Sequence, residues 1–160
     1  MGKIISVNEV MSISTRLHKQ KKKIVLVGGC FDVLHVGHIK FLERAKRVGD
    51  ILFVEVESDQ NITRLKGPNR PINRQADRVY VLSRLEIVDY VIPLPTKISD
   101  LGYLSITKKV GPAILATTKG DPKNIYLYQQ AKTLGITVKE VIDFIPGKST
   151  SKLARSLGIE

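Results

Sequence analysis

The chain is short of several residue types, and each shortage excludes something. A single cysteine, Cys30, leaves no disulfide framework and no Cys-rich zinc site within the 160 residues. There is no Trp, and four Phe and five Tyr make a thin platform for stacked nucleic-acid bases. No apolar run approaches the ~18 residues of a membrane-crossing helix. The first residues lack the apolar stretch of a secretory signal. Internal repeats and low-complexity linkers are also missing. Acidic residues are scarce: 15 Asp and Glu face 26 Lys and Arg, for a formal net charge of +11. Hydrophobic residues, at 42%, suffice for a real core. The length fits a single domain, and a reducing, cytoplasmic location is expected. The positive excess points to an anionic partner: nucleic acid, an anionic surface or small phosphates.

That excess is local. Residues 1–23 carry net +5, residues 64–84 net +5 and residues 145–160 net +2, which leaves −1 for everything else. The chain reads as one domain over 1–160, with a basic helical lead-in at 1–23 and a core at 24–157.

Hydrophobic patterning supplies the frame. IVLVGG (24–29) reads as a buried strand stopping at a glycine pair. Residues 38–48 read as a helix with Ile39, Leu42 and Ala45 on one face and Gly49 as its stop. ILFVEVES (51–58) is the next strand, which completes a βαβ unit. Asn73 is expected to cap a helix over 74–86, with Ala76, Val79, Leu82 and Leu85 facing inward. Strands follow at 88–94, 113–117 and 136–142, with helices at 99–109 and 123–134 and a short one at 150–157. Residues 4–18 form a helical lead-in anchored by Ile5, Val10 and Leu17. Five strands alternating with helices predict a Rossmann-like, doubly wound α/β domain: a parallel sheet in three α/β/α layers. Ligands of such sheets sit outside the carboxyl ends of the strands. That points to Gly28–His38, Ser58–Arg70 and Thr117–Asp121.

The segment after the first strand reads GGCFDVLHVGHIK, Gly28 to Lys40. It lacks the glycine spacing of a dinucleotide fingerprint. The later PGKST is not a P-loop either, because Ile142 stands where the first glycine is required. Gly28 and Gly29 let a large group approach the backbone. His35 and His38 flank Gly37 at a helix start, where free N–H groups and the dipole favour an anion. Two imidazoles converging there would suit a phosphate and the charge that builds up in phosphoryl or nucleotidyl transfer. The plainer alternatives are one histidine capping the helix while the other packs, or a metal held by Cys30, Asp32, His35 and His38.

GGCFDVLHVGHIKFLERAK closely resembles the GxFDxxHxGH signature of the cytidylyltransferase-like nucleotidyltransferases, of the HIGH superfamily. GKSTSKL, Gly147–Leu153, resembles that family's ISTTK-type segment, which closes over the nucleotide phosphates. The resemblance covers about residues 20–157. Its middle part, Asn61–Val91 with LKGPNRPIN, is most similar to the heptose 1-phosphate adenylyltransferase branch of ADP-heptose synthesis. Glycerol-3-phosphate cytidylyltransferases and FAD synthetases share the HxGH frame with a different middle, and they stay open as alternatives. One departure concerns the KGGDY-like loop near the nucleotide. Here it reads Thr117-Thr118-Lys119-Gly120-Asp121-Pro122, without the second glycine and the tyrosine.

The resemblance implies transfer of a nucleotide, AMP from ATP being favoured over CMP from CTP, to a phosphorylated acceptor with release of pyrophosphate. His35, His38 and Lys66 are the implied catalytic residues. Nucleotide contacts are implied for Gly28, Gly29, Cys30, Phe31, Asp32, Gly37, Lys40, Lys119, Gly120, Asp121, Ser149, Thr150 and Ser151. Lys66 and Arg70 are expected in a loop as a mobile phosphate grip, and Arg74 and Arg78 as helix-surface or salt-bridge residues, Arg78 being also able to face the site. Mg²⁺ is expected with the nucleoside triphosphate, on phosphates and water and without protein ligands. A homodimer is implied, and a separate kinase is expected to supply the acceptor. The competing class is a non-catalytic nucleic-acid-binding module, favoured by Lys21–Lys23 but opposed by the intact HxGH segment.

Overall fold

The structure, a computed structural model, describes residues 1–121, 124–143 and 158. In chain order it forms β1 (Lys3–Ile4), α1 (Val7–Lys19), β2 (Ile24–Gly29), α2 (Val36–Lys46), β3 (Ile51–Val56) and α3 (Asp59–Lys66). It continues with α4 (Gln75–Ser83), β4 (Tyr90–Pro93), α5 (Asp100–Val110), β5 (Ile114–Lys119), α6 (Asn124–Leu134) and β6 (Thr137–Asp143). The strands pair in parallel in the order β1-β4-β3-β2-β5-β6. Among the described residues no helix is long and apolar enough to cross a membrane.

Alternation along the strands explains the layers. Val25 and Val27 of β2, with Leu52, Val54 and Val56 of β3, face Leu42 and Ala45 of α2 and Val79 and Leu82 of α4. Ile24, Leu26, Phe53, Tyr90 and Leu115 face the other way, onto Val10 and Leu17 of α1, Val110 of α5 and Ala131 of α6. Each central strand is apolar on both faces, so its sequence reads as a continuous apolar run. The expected anchors Ile5, Val10 and Leu17 are all buried.

The structure departs from the expected frame in several places. The sheet has six strands, because Lys3–Ile4 adds beside β4 with Lys3 opposite Tyr90. Two residues carry no periodicity, and this strand exists through backbone bonds such as Lys3 N–H to Asp89 O at 2.8 Å. Residues 59–66 form α3, where a loop was expected. Ser58 Oγ accepts the Asn61 N–H at 3.3 Å to start it, and Gly67, at φ 100°, ends it in a conformation that favours glycine. Helix α2 spans Val36–Lys46, two residues earlier than expected, and stops before Gly49. Helix α4 begins after Arg74, not Asn73, because the Asn73 amide donates to Asp32 O at 2.5 Å. Ala76, expected inside, is exposed, and Arg78 takes the buried side instead. The expected helix at 150–157 lies outside the described residues.

Leu42 is fully buried between α2 and the sheet. Leu42→Ala should lower stability by about 2–5 kcal/mol, seen in urea titration as a lower midpoint at unchanged slope.

Candidate active site

The site begins where β2 runs out. Gly28 and Gly29 form the carboxyl end of this central strand, and Gly28 is exposed. A Cβ at Gly29 would lie 2.9 Å from the Phe31 ring, which is too close for any side chain. Phe31 is itself buried and holds φ 47°, so the chain turns sharply after the glycines. The backbone around 29–31 is therefore bare on one side and stiffened by an aromatic ring on the other.

The turn is fixed by a buried ion pair. Arg70 Nε donates to Asp32 Oδ2 at 2.7 Å, and both side chains have 0% exposure. The other carboxylate oxygen of Asp32 accepts the backbone N–H groups of Ile72 at 2.8 Å and Asn73 at 3.0 Å. A charge without solvent persists only when paired and hydrogen-bonded, and Asp32 is both. Arg70 is accordingly not a mobile grip: it is buried and its guanidinium is turned to Asp32. Asp32 faces the protein interior as the anchor of the loop.

Arg78 adds a second tie. Its guanidinium donates to Cys30 O at 2.5 Å, Glu57 O at 2.8 Å, Asn73 O at 3.0 Å and Asp59 Oδ1 at 2.6 Å. One side chain thus joins the loops after β2 and β3 to the start of α4. Sequence reading gave Arg78 as a helix-surface or salt-bridge residue; the ion pair is there, with Asp59, but the side chain is buried. The available signal was its position four residues before Leu82, on the apolar face of α4.

The two histidines sit at the start of α2. His35 is the N-cap, and its Nδ1 accepts the Gly37 N–H at 3.1 Å. That bond leaves the proton of a neutral His35 on Nε2. The His35 and His38 rings stack with centroids 4.0 Å apart, and Phe31 packs against His38 at 5.3 Å. His38 Nδ1 is buried with no hydrogen-bond partner among the described residues. A bare lone pair there costs less than a bare N–H, which again puts the proton on Nε2. The helix-capping reading of the pair is therefore right for His35. It also means that the Gly37 N–H is taken, so the imidazoles and the helix dipole carry the attraction for an anion. Burial, then His35, then Lys66 push the His38 pKa down from 6.5 to about 4. Lys66, half-buried at the last turn of α3, is thus close enough to act on His38.

The remaining expected residues are spread around this centre. Cys30 is half-buried and free. Lys40 is exposed on α2. Lys119 is exposed and lies 3.7 Å from Asp143. Gly120 turns the chain at φ 74°, and the Asp121 carbonyl accepts the Asn124 N–H at 2.9 Å. Ser149, Thr150 and Ser151 lie outside the described residues. Among the described residues no three His, Cys, Asp or Glu side chains are placed to hold a metal. Asp32, spent on Arg70, is lost to the metal alternative.

Residues 26–145 match the family described as Cytidylyltransferase-like. The chain belongs to this family. It is 45% identical over 152 residues to the bifunctional protein HldE of a Nitratiruptor species, covering 93% of this chain and 30% of that protein. HldE of Campylobacter concisus is 41% identical over 158 residues, covering 97% and 31% respectively. The chain thus spans about a third of the length of these curated relatives. Among solved structures, the lipopolysaccharide core biosynthesis protein of Thermoplasma volcanium superposes with a TM-score of 0.62 at 29% identity, over 78% of this chain and 97% of that one. Pantoate-beta-alanine ligase of Francisella tularensis shares the fold, with a TM-score of 0.63 at 18% identity over 94% and 69% of the chains.

Two measurements check this geometry. Arg70→Ala strands the Asp32 carboxylate and should cost about 3–5 kcal/mol of stability. A loss below about 1 kcal/mol would mean that the Ile72 and Asn73 amides alone satisfy Asp32. Lys66→Ala should raise the His38 pKa, read by NMR from the imidazole Hε1 shift, and an unchanged titration would separate the two groups. Since the unfolded chain takes up that proton near 6.5, His38 withdraws stability as pH falls from 6.5 through 4.

Proposed function

We propose that the chain transfers AMP from ATP to a sugar 1-phosphate, with a heptose 1-phosphate as the expected acceptor. An acceptor phosphate oxygen forms the new bond to the α-phosphorus. The bond from that phosphorus to the bridging oxygen breaks, and pyrophosphate leaves with the electron pair. The acceptor phosphate is already ionised at neutral pH, so the reaction needs positioning and charge stabilisation and no strong base.

The observation that carries this reading is the stacked His35–His38 pair beside Lys66. Two Nε2–H donors and one ammonium suit the triphosphate and the charge that develops on the departing pyrophosphate. The bare backbone at Gly28–Phe31 gives the nucleotide a surface to lie on. Lys40 and the Lys119–Asp121 loop are further proposed nucleotide contacts, and Ser149, Thr150 and Ser151 are proposed to close on the phosphates. Mg²⁺ arrives as part of the nucleotide, held by phosphate oxygens and water. The choice of AMP and a heptose phosphate rests on the LKGPNRPIN segment and the likeness to HldE proteins. A cytoplasmic homodimer belongs to the same proposal.

The test is pyrophosphate release with ATP, CTP and GTP against a panel of phosphorylated acceptors. ATP with heptose 1-phosphate should be the productive pair, and turnover only with CTP and glycerol phosphate would overturn it. His38→Ala should cut turnover ~100–1000-fold, the scale for one lost transition-state donor. Near-normal turnover by a folded variant would remove His38 from the mechanism.

A further inference from the structure

Gly28 is paired with Glu55 across the β2–β3 ladder. Along their strands Gly28 alternates with Leu26 and Glu55 with Phe53, so both lie on the α1, α5 and α6 face. The histidines are on the opposite face, at the head of α2. Gly28 is exposed, although its strand is flanked by β3 and β5 in the centre of the sheet. Beside it stands Glu55, only 8% exposed. A Cβ at Gly28 would be 3.5 Å from Glu55 Oε2, in ordinary contact. Glu55 Oε1 is buried with no hydrogen-bond partner among the described residues. The catalytic proposal uses the Gly28 backbone and leaves Glu55 without a role.

A second carboxylate follows two residues on. Glu57 Oε1 accepts the Ser58 N–H at 2.9 Å, and its Oε2 accepts the Tyr103 hydroxyl at 2.5 Å. That hydroxyl accepts the Asn61 amide at 2.8 Å. Glu57 and Tyr103 are therefore fixed from β3, α3 and α5 together. Glu55 alone keeps an unused oxygen.

We propose that Glu55, with Glu57 and Tyr103, forms a specificity-determining wall that reads acceptor hydroxyl groups in a notch floored by Gly28. This rests on the transfer reaction proposed above. An acceptor whose phosphate meets the nucleotide's α-phosphorus at the end of β2 leaves the rest of its own frame free to drop past Gly28 over the other face. That face offers carboxyl oxygens and a phenol, which match hydroxyl groups and repel a second anion. Burial, then Glu57, push the Glu55 pKa up to about 8. A protonated Glu55 both donates and accepts, as pairing with a hydroxyl requires.

The experiment compares Glu55→Ala, Glu55→Gln and Glu57→Gln with the parent chain, using ATP and heptose 1-phosphate. Steady-state kinetics give KM for each substrate, and calorimetry gives the Kd of ATP. Loss of one buried hydrogen bond should raise the acceptor KM of Glu55→Ala about 10-fold, with KM and Kd for ATP unchanged. Glu55→Gln, which keeps a donor and an acceptor, should stay close to the parent. An unchanged acceptor KM in Glu55→Ala, or an equal rise for ATP, would overturn the proposal. So would a Glu55→Gln variant as impaired as the alanine. Glu57→Gln keeps the test open if Glu55→Ala does not fold: it too should raise only the acceptor KM, and no rise would count against the wall. If the parent chain releases no pyrophosphate with any sugar phosphate, the reaction itself fails and the wall falls with it. If the parent turns over and the variants do not discriminate, only the wall fails.

Discussion

Asp32 sits among backbone amides and one arginine, with no water to share its charge. Two loops far apart in sequence meet there, because the carboxylate at 32 takes a guanidinium from residue 70 and two amides from residues 72 and 73. A buried carboxylate without those partners would be too costly to keep. The turn after β2 therefore has one arrangement, and the segment leading into α4 is locked to it. Arg78 repeats the device a short way along by joining the same two segments to the end of β3. The position of the HxGH helix follows, since His35 is only three residues beyond Asp32.

This scaffold has a chemical purpose. Burial, the stacked His35 and Lys66 together hold the His38 pKa down to about 4, so the free protein keeps that imidazole uncharged at neutral pH. The loops around the histidine pair are fixed by bonds among the protein's own groups, Arg70 to Asp32 and Arg78 to Cys30 O among them. Preorganisation of this kind reduces the rearrangement left for the reaction itself.

Much of the frame was legible because strands buried on both faces announce themselves. IVLVGG and ILFVEVES could be little else, and the glycine stop with its two histidines pointed to the candidate site at the carboxyl end of β2. What stayed hidden was set by partners distant in sequence. Arg70 and Lys66 lie four residues apart in one basic stretch, and nothing local says that the first is interior and the second faces His38. Asn73 looks like a helix cap, yet Asp32 takes its amide. The edge strand at Lys3–Ile4 has no pattern of its own and exists only because β4 offers unpaired backbone. Helix α3 was readable in principle from Ser58 and Gly67, but its polar sequence hid it.

The fate of Arg70 and Arg78 also changes how the molecule meets a charged ligand. Both belong to the 64–84 stretch that carries +5 in sequence, and both are buried against Asp32 and Asp59. The net +11 is unchanged by this pairing, since both carboxylates are already counted in it, but the excess offered to solution shifts away from residues 64–84 toward the lysines of residues 1–23. A stretch that looks like an anion grip thus spends two of its six cations on holding the protein's own loops together.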